Sequence, residues 1–305
     1  MEKNYEVIFN RMVDSTAKYL QSANRKSMVL GISGGIDSTV TACICHEVSK
    51  LTGIPLIGIS LPCSTNEDCE NKAAQYVGEE FCNEFKFVNM QPAFEMMEDF
   101  CGRASRMTST NISQGNIKAR LRMITLYDIA SKRSGLVMDT DNATESLLGF
   151  YTIAGDVGIW DPIGGLWKHE VYELAKYLLA TRYPDSNALR ASIELVPTDG
   201  NGVKAGGDLA QIAPGKTYDD VDDILMSYVE LCDQLHRGCI DPNIEKNIFK
   251  PLYDKYGEET VDMVISRHLK SAFKRAHLPF TIDLNNGNIL EKNGNVWIDF
   301  SKIKN

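Results

Sequence analysis

Four polar side chains near the start of the chain have the types and spacing needed to bind a phosphate. They lie in the segment VLGISGGIDST, residues 29–39, and are Ser33, Asp37, Ser38 and Thr39. An apolar run stops at Gly34 and Gly35 and a helical pattern follows, which predicts a strand, a tight turn and a helix. Backbone N–H groups, the helix dipole and the hydroxyls would converge on one anion. The segment predicts a phosphate or pyrophosphate site; a plain strand-to-helix turn is the alternative.

Asp37 changes the chemistry that this segment predicts. A carboxylate beside a phosphate repels it unless a divalent cation lies between the two groups, so Asp37 indicates Mg²⁺. The segment differs from a Walker A loop because its spacing is shorter and no lysine precedes Ser38 and Thr39. On the alternative interpretation, Asp37 is an ordinary acidic residue in the first turn of a helix.

Arg120 is the next residue that could bind an anion. It lies on the flank of the apolar stripe of a helix predicted over 116–131, whereas Lys118 and Arg122 are expected to point away from that stripe. An arginine on such a flank needs an anionic partner. That partner is either a ligand or a carboxylate in an internal salt bridge.

Glu145 and Lys168 likewise have a functional and a structural interpretation. Glu145 comes three residues after Asn142, which fits either a capping box or a second Mg²⁺ carboxylate. Lys168 stands at the N-terminus of a predicted helix, where the dipole disfavours a cation. Either a phosphate or solvent must therefore compensate its charge.

Strands and helices alternate through the first half of the chain, and they must bring these side chains together. Strands are predicted at 28–32, 55–60, 85–88 and 136–138, with helices at 5–20, 37–49, 67–81, 116–131 and 167–179. This alternation predicts an α/β fold: a doubly wound parallel sheet with helices on both faces. Ligands of such sheets bind at the carboxyl ends of the strands, where residues 33–39 fall.

The remaining segments predict loops, further helices and a C-terminal tail. A long glycine-rich segment at 197–216 is expected to be a lid over the nucleotide. Asn-Gly pairs at 286–287 and 293–294 predict one or two β-hairpins near the C-terminus. We expect one domain at 1–280 and an appendage at 281–305. The remaining predictions are loops at 102–114 and 150–166 and helices at 218–228, 245–256 and 258–274.

Composition excludes several classes of function. The 305 residues carry a net charge of −9, which argues against a nucleic-acid binder. No apolar run approaches the roughly 20 residues of a membrane span, and the polar N-terminus is no signal peptide, so no membrane and a cytoplasmic location are expected. The eight cysteines form no C-x-x-C pair and the histidines have no metal-ligand spacing, so no metal other than Mg²⁺ is predicted.

Four stretches together resemble one family. The first, 31–39, is similar to the pyrophosphate loop of the N-type ATP pyrophosphatases, whose fold is the adenine nucleotide alpha hydrolase type. With GNIKARLRM at 115–123, TDNATE at 140–145, Pro197-Thr198 and GKTYDDVD at 215–222, the chain resembles the ammonia-dependent NAD synthetases over roughly residues 28–275. The resemblance implies ATP- and Mg²⁺-dependent amidation of deamido-NAD by ammonia through an adenylate, with release of AMP and pyrophosphate. No glutaminase-like segment is evident, so ammonia is expected from solution or from a separate partner.

The resemblance also implies a role for each matching residue and a homodimer. Asp37, Glu145 and Lys168 would be catalytic, with Asp37 and Glu145 on Mg²⁺. The substrate-binding residues would be Arg120, Ile153, Asp161, Phe273 and Lys274. The ATP-binding residues would be Gly31, Ile32, Ser33, Gly34, Gly35, Ile36, Asp37, Ser38, Thr140, Lys168 and Thr198.

The departures from the family pattern lie mostly on the acceptor side. Asp139 stands where the family has the glycine of G-T-D, Ile153 replaces an expected lysine, and Phe273 replaces a histidine. An expected aspartate falls on Trp160 without a gap, or on Asp161 with one deletion. The residues implied to bind ATP match the family pattern, so adenylation is expected. The identity of the molecule that is adenylated stays open.

Three other functions compete with this interpretation. A ligase of the same superfamily could act on a smaller or modified pyridine nucleotide or another carboxylate, because Ile153 and Phe273 suit a less anionic molecule. A tRNA-thiolating enzyme is disfavoured by the acidic charge and the missing C-x-x-C pairs. A nucleotide-binding paralogue without turnover is disfavoured by the intact Asp37, Glu145 and Lys168.

Overall fold

The centre of the molecule is a parallel sheet of four strands. The computed structural model describes residues 3–196, 207–237, 244–276, 281–282 and 289–290. The strands are hydrogen-bonded in the order β3-β2-β1-β4, with Val29 beside Ile57 on one side and Val137 on the other. Their bounds are Ser27–Gly31 for β1, Leu56–Ser60 for β2, Glu84–Phe87 for β3 and Gly135–Val137 for β4.

Helices cover both faces of the sheet because successive strand residues point to opposite sides. Met28 and Leu30 of β1 lie in one apolar core, and Val29 between them lies in a second core. The first core packs against α1 (Tyr5–Ser22), α2 (Ile36–Thr52), α3 (Asp68–Phe81), α7 (Lys168–Thr181) and α8 (Asn187–Glu194). The second packs against α4 (Gln91–Ser105) and α5 (Asn111–Lys132). The predicted doubly wound sheet is therefore confirmed.

The strand order places a topological switch between β1 and β4. From β1 the chain proceeds through β2 to β3 on one side, and β4 is added on the other side. Crevices at such switch points, beyond the carboxyl ends of the strands, are where doubly wound sheets bind ligands. The turn at 32–35 and the segment at 138–142 both leave strands at this edge.

The chain divides into two compact units: the first comprises Met1–Ala143 and Tyr151–Gly207, and the second comprises Thr144–Phe150 and Asp208–Asn305. The described elements of the second unit are α6 (Ala143–Leu148), α9 (Gly207–Ile212), α10 (Tyr218–His236), α11 (Ile244–Tyr256), α12 (Glu258–Lys270), α13 (Ala272–Arg275), β5 (Thr281–Ile282) and β6 (Ile289–Leu290). The two short strands pair antiparallel. Most of 281–305 lies outside the described residues, so the hairpin and the boundary at 280/281 stay predictions.

Several predicted loops are helical in the structure. The loop expected at 102–114 holds the end of α4 and the start of α5, and only 106–110 separates the two helices. The expected lid contains α9, while 197–206, with Thr198, lies outside the described residues. Helix α8 was not predicted. Within the described ranges, no helix combines the length and apolar character of a transmembrane segment.

Candidate active site

The turn between β1 and α2 has the conformation that a phosphate loop needs. Gly34 has a φ of +84°, and a Cβ there would lie 2.6 Å from the backbone nitrogen of Ala74 in α3. Only glycine suits both the dihedral angle and that close approach. Gly35 is the N-cap of α2 and offers no side-chain cap, so the first N–H groups of the helix remain available to an anion.

Two of the three hydroxyls predicted for the phosphate site lie together at this turn. The Oγ atoms of Ser33 and Ser38 are 2.9 Å apart, and Ser33 Oγ accepts from the N–H of Gly35. The hydroxyls of Ser38 and Thr39 both donate to the carbonyl of Gly35, and both side chains are buried. Ser38 also contacts Ser33, whereas the contribution of Thr39 to the phosphate site stays a prediction.

Asp37 is held between two side chains from other elements. Its Oδ1 accepts from Nδ2 of Asn142, 2.9 Å away, and its Oδ2 accepts from Nζ of Lys168, 2.5 Å away. Asn142 and Lys168 are both buried. Lys168 begins α7, so the cation placed against the helix dipole is compensated by a carboxylate rather than by solvent. This contact uses only Nδ2 of Asn142, so the capping interpretation of Asn142 and Glu145 stays open.

The donor set at Asp37 fits a magnesium ion that is shared with a nucleotide. No group of three or more His, Cys, Asp or Glu side chains clusters for metal binding in the described ranges. Mg²⁺ commonly takes one or two protein carboxylates and completes its shell with phosphate oxygens and water. The two hydrogen bonds to Asp37 leave it further acceptor capacity, because a carboxylate has about four lone-pair sites.

Asp139, which replaces the family glycine, organises the end of β4. Its Oδ1 accepts from the N–H groups of Thr140 and Asp141, and its Oδ2 accepts from the N–H of Gly158 at 2.8 Å. Burial raises the pKa of this carboxyl, against the lowering effect of the three N–H donors. One side chain thus fastens the segment with Thr140 to the loop that carries Ile153.

Helix α5 holds the loop at 152–157. Arg120 donates from Nη2 to the carbonyl of Ile153 at 3.2 Å, and the hydroxyl of Thr152 lies 2.8 Å from Oδ1 of Asn116. The internal salt bridge considered for Arg120 is not found among the described residues. Arg120 is exposed and touches the loop only through a backbone carbonyl, so two predicted substrate-binding residues lie side by side.

The structure separates the two positions considered for the missing family aspartate. Trp160 stacks on Tyr19 of α1 at 4.3 Å between ring centroids, and its Nε1 donates to the hydroxyl of Thr16. Asp161 instead accepts from the N–H of Ile163 within its own loop. Trp160 is therefore a core residue, and Asp161 is the position that can correspond to the acidic residue.

Lys118 and Arg122 were expected to point away from the apolar stripe, and in the structure neither is freely exposed to solvent: Lys118 is 4% exposed and Arg122 is partly exposed. Lys118 Nζ donates to the hydroxyl of Thr65, and Arg122 Nε donates to the carbonyl of Leu61. A helical wheel shows which residues share a face, but it does not show that the loop after β2 covers the side of α5 opposite its apolar stripe.

The second unit carries the remaining predicted residues. Glu145 lies in the first turn of α6, and Nζ of Lys274 donates to the carbonyl of Gly149 just beyond that helix, at 2.7 Å. Arg267 and Arg275 donate to the carbonyls of Leu148 and Leu147. Cations at a helix C-terminus are electrostatically favourable. Phe273 is 43% exposed; the substrate roles of Phe273 and Lys274 stay predictions.

A doubly wound sheet with a glycine-rich turn and the ion pair of Asp37 and Lys168 at its switch point is an arrangement typical of nucleotide-binding α/β proteins. The family described as NAD synthase matches residues 8–278, so the chain belongs to the NAD synthase family, which is a family of ligases.

Relatives and solved structures agree with this assignment. An NH(3)-dependent NAD(+) synthetase from Wolinella succinogenes is 30% identical over 273 residues, which are 89% of this chain and 93% of that protein. An NMN synthetase from Francisella tularensis superposes with a TM-score of 0.71 at 25% identity, over 93% of this chain and all of that one. An NH3-dependent NAD synthetase from Campylobacter jejuni gives a TM-score of 0.66 at 25% identity, over 92% and 100% of the chains.

Proposed function

We propose that the chain amidates the carboxylate of deamido-NAD with ammonia, and that it uses ATP to activate that carboxylate as an adenylate. The observation that carries the proposal is Asp37, fixed by Lys168 and Asn142 beside a glycine-rich turn at the sheet's switch point. Membership of the NAD synthase family and the names of the relatives support the substrate.

The chemistry needs positioning and charge stabilisation rather than a nucleophilic side chain. A carboxylate oxygen of the acceptor attacks the α-phosphorus of ATP, the bond to the β-phosphate oxygen breaks, and pyrophosphate leaves. Ammonia then attacks the acyl carbon, the bond to AMP breaks, and the nitrogen loses a proton to solvent. The turn at 33–35 binds phosphate through its N–H groups, and Lys168 offsets the negative charge that Asp37 and the phosphates bring together.

We further propose that Asp37 holds Mg²⁺ together with the phosphates. When bound, the ion neutralises charge on the phosphate oxygens. Lys168 keeps the Asp37 carboxylate oriented, since the two groups are already paired. Glu145 is the second carboxylate that the resemblance implies. It belongs to the second compact unit, and its role as a Mg²⁺ ligand stays a prediction.

Nicotinic acid mononucleotide is a second candidate acceptor. The similarity to a protein named NMN synthetase supports it. So does the replacement of two cationic or polar family residues by Ile153 and Phe273, because a mononucleotide has one phosphate fewer to bind than a dinucleotide. Arg120 is the cation that remains beside Ile153.

A homodimer is proposed from the exposed apolar side chains of α4, of α5 and of the connection between them. Large apolar side chains that are grouped on a surface mark an interface. A second copy of the chain is the proposed partner, because the resemblance to the NAD synthetases implies a homodimer and α5 also carries Arg120 of the candidate site. The exposed residues are Met96, Phe100, Met107, Ile112 and Ile124.

We propose that the enzyme works in the cytosol. Cysteines 43, 45, 63, 69, 82, 101 and 232 are free thiols in the structure. Unpaired thiols are typical of a reducing compartment. The net charge of −9 supports a partner set without nucleic acid.

The test is a comparison of kcat/KM for deamido-NAD and nicotinic acid mononucleotide at saturating MgATP and ammonia. Deamido-NAD is expected to be the better substrate, with one AMP formed for each amide. In the variant Ile153→Lys, the preference for the dinucleotide should rise about tenfold, as expected for one added charge-assisted contact. Leu51→Lys, at an exposed position of α2, is the matched control. A higher kcat/KM for nicotinic acid mononucleotide would identify it, rather than deamido-NAD, as the acceptor. If neither acceptor gives AMP, the proposal is contradicted.

A further inference from the structure

Two cations, the buried Lys118 and the partly exposed Arg122, stand one helical turn apart on α5 and have no place in the scheme above. Lys118 donates to the hydroxyl of Thr65 at 3.1 Å, and its Nζ lies 4.9 Å from the centroid of the Phe94 ring. Arg122 donates from Nε to the carbonyl of Leu61 at 3.2 Å. Residues four apart share a helix face, so both charges point toward the loop that follows β2.

Neither cation forms an ion pair. Across the described ranges, no carboxylate oxygen lies within 4.0 Å of either side chain; the ion pairs found involve other residues. The charges of Glu70 and Asp156 reach Arg122 only through space. Burying a charge without a paired opposite charge is costly. It therefore lowers the stability of the ligand-free protein, and a bound anion would remove that penalty.

The two cations lie at the edge of the sheet where the phosphate turn lies. Leu61 directly follows β2, the neighbour of β1, and Thr65 belongs to the connection from β2 to α3. Helix α3 in turn packs against the phosphate turn, since a Cβ at Gly34 would be 2.7 Å from the carbonyl oxygen of Glu70. An anion bound by Lys118 would therefore belong to a molecule in the same crevice.

We propose that Lys118 and Arg122 form an anion subsite that binds a phosphate group of a nucleotide. The proposal rests on the proposed function for the identity of that nucleotide, which is either ATP or the pyridine nucleotide. Lys118 supplies the direct contact, because among the described residues its ammonium contacts only the Thr65 hydroxyl and the Phe94 ring. Arg122 adds charge while its Nε stays on Leu61, and Thr65 keeps Lys118 in place.

The experiment measures binding by calorimetry, without turnover, for MgATP, deamido-NAD and nicotinic acid mononucleotide separately. Lys118→Met removes the charge and keeps the volume, Lys118→Arg keeps the charge, and Lys132→Met removes an exposed lysine from the same helix, where it pairs with Asp128. Lys118→Met should weaken binding of one nucleotide class by about 10- to 100-fold, as for a lost charge-assisted hydrogen bond. Lys118→Arg should stay within about threefold of the unchanged chain, and Lys132→Met within about twofold.

The thermal midpoint of the ligand-free protein separates binding from support of the fold. A cation kept for a ligand is a cost in its absence, so Lys118→Met should raise Tm, whereas loss of a structural contact lowers it. Weaker MgATP binding assigns the subsite to ATP, and weaker binding of both pyridine nucleotides assigns it to the acceptor. Unchanged dissociation constants for all three ligands overturn the proposal. If the chain binds MgATP but forms no AMP, only the proposed function is contradicted, and the binding test of the subsite still applies.

Discussion

Asp37 is tied to two elements that are far away in the sequence. Asn142 comes from the end of β4 and Lys168 from the start of α7, and each engages one oxygen of the carboxylate. A carboxylate fixed in this way needs little reorganisation to receive a magnesium-bound nucleotide. The sequence identified Asp37 and Lys168 separately, but their contact could not be predicted, because it depends on where the loop at 150–166 ends.

Lys168→Met tests this pairing. Loss of the cation should lower kcat by about 10²- to 10³-fold, since the phosphate charge and Asp37 are then no longer offset. Steady-state AMP formation with deamido-NAD measures it. Lys176→Met is the control, because Lys176 lies on the same helix and pairs with Glu173 at the surface. An unchanged kcat for the Lys168 variant would remove this residue from the reaction.

The structural role of Asp139 could be recognised only from the structure. In the sequence it was simply a departure from a glycine, whereas its carboxylate accepts three backbone N–H groups. Asp139→Gly, which restores the family residue, should lower the free energy of unfolding by about 1–3 kcal/mol, because these donors lose their acceptor. Urea unfolding measures the change. The control is Asp128→Asn at an exposed position of α5, for which the free energy of unfolding should change by no more than about 0.5 kcal/mol. Asparagine is used because a glycine at this position would also lower the helix propensity.

At the scale of elements, the phosphate turn depends on α3 as much as on its own sequence. Gly34→Ala would place a methyl group 2.6 Å from a backbone nitrogen of α3 and would force a left-handed φ on alanine. We expect MgATP binding to be lost and Tm to fall. Gly102→Ala, in α4 with open space around it, should leave MgATP binding unchanged and should not lower Tm, because alanine favours a helix more than glycine does. Wild-type MgATP affinity in the Gly34 variant would mean that the turn is not the phosphate site.

The strands around this turn were predictable, whereas several helices were not. Strands β1 and β2 are continuous apolar runs because the sheet is covered on both faces. Helix α4 was not predicted, and the polar residues from Gly102 onward indicated a loop although α4 continues to Ser105; its Pro92 lies in the first turn, where proline is tolerated. Helix α5 begins before its predicted start because Thr110 and Ser113 form a reciprocal cap, which the polar composition concealed.

At the scale of the whole molecule, the second unit contains a histidine that should make stability depend on pH. His268 packs against Arg275 and the Tyr228 ring and lies 2.9 Å from the Leu147 carbonyl. Burial, and then the charge of Arg275, lower the pKa of His268 from 6.5 to about 4. The unfolded chain therefore binds this proton at a higher pH than the folded chain does, so stability is full above about pH 6.5 and falls toward pH 4.

Thermal unfolding at pH 7 and pH 4.5 measures this dependence. The stability lost should approach about 2–3 kcal/mol. His268→Asn keeps a donor for the Leu147 carbonyl and removes the titration, so this variant should lose less stability over the same range. His169→Asn on α7 is the control and should behave like the unchanged chain. Equal losses in all three proteins would show that His268 does not titrate as its surroundings imply.

The central claim is that the acceptor carboxylate is activated by transfer of AMP. The most direct measurement uses deamido-NAD with both carboxyl oxygens labelled as ¹⁸O, together with MgATP and ammonia, and analyses the products by mass spectrometry. The account predicts one ¹⁸O atom in AMP, one in the amide and none in pyrophosphate. Label in an inorganic phosphate product, or unlabelled AMP formed together with amide, would contradict it.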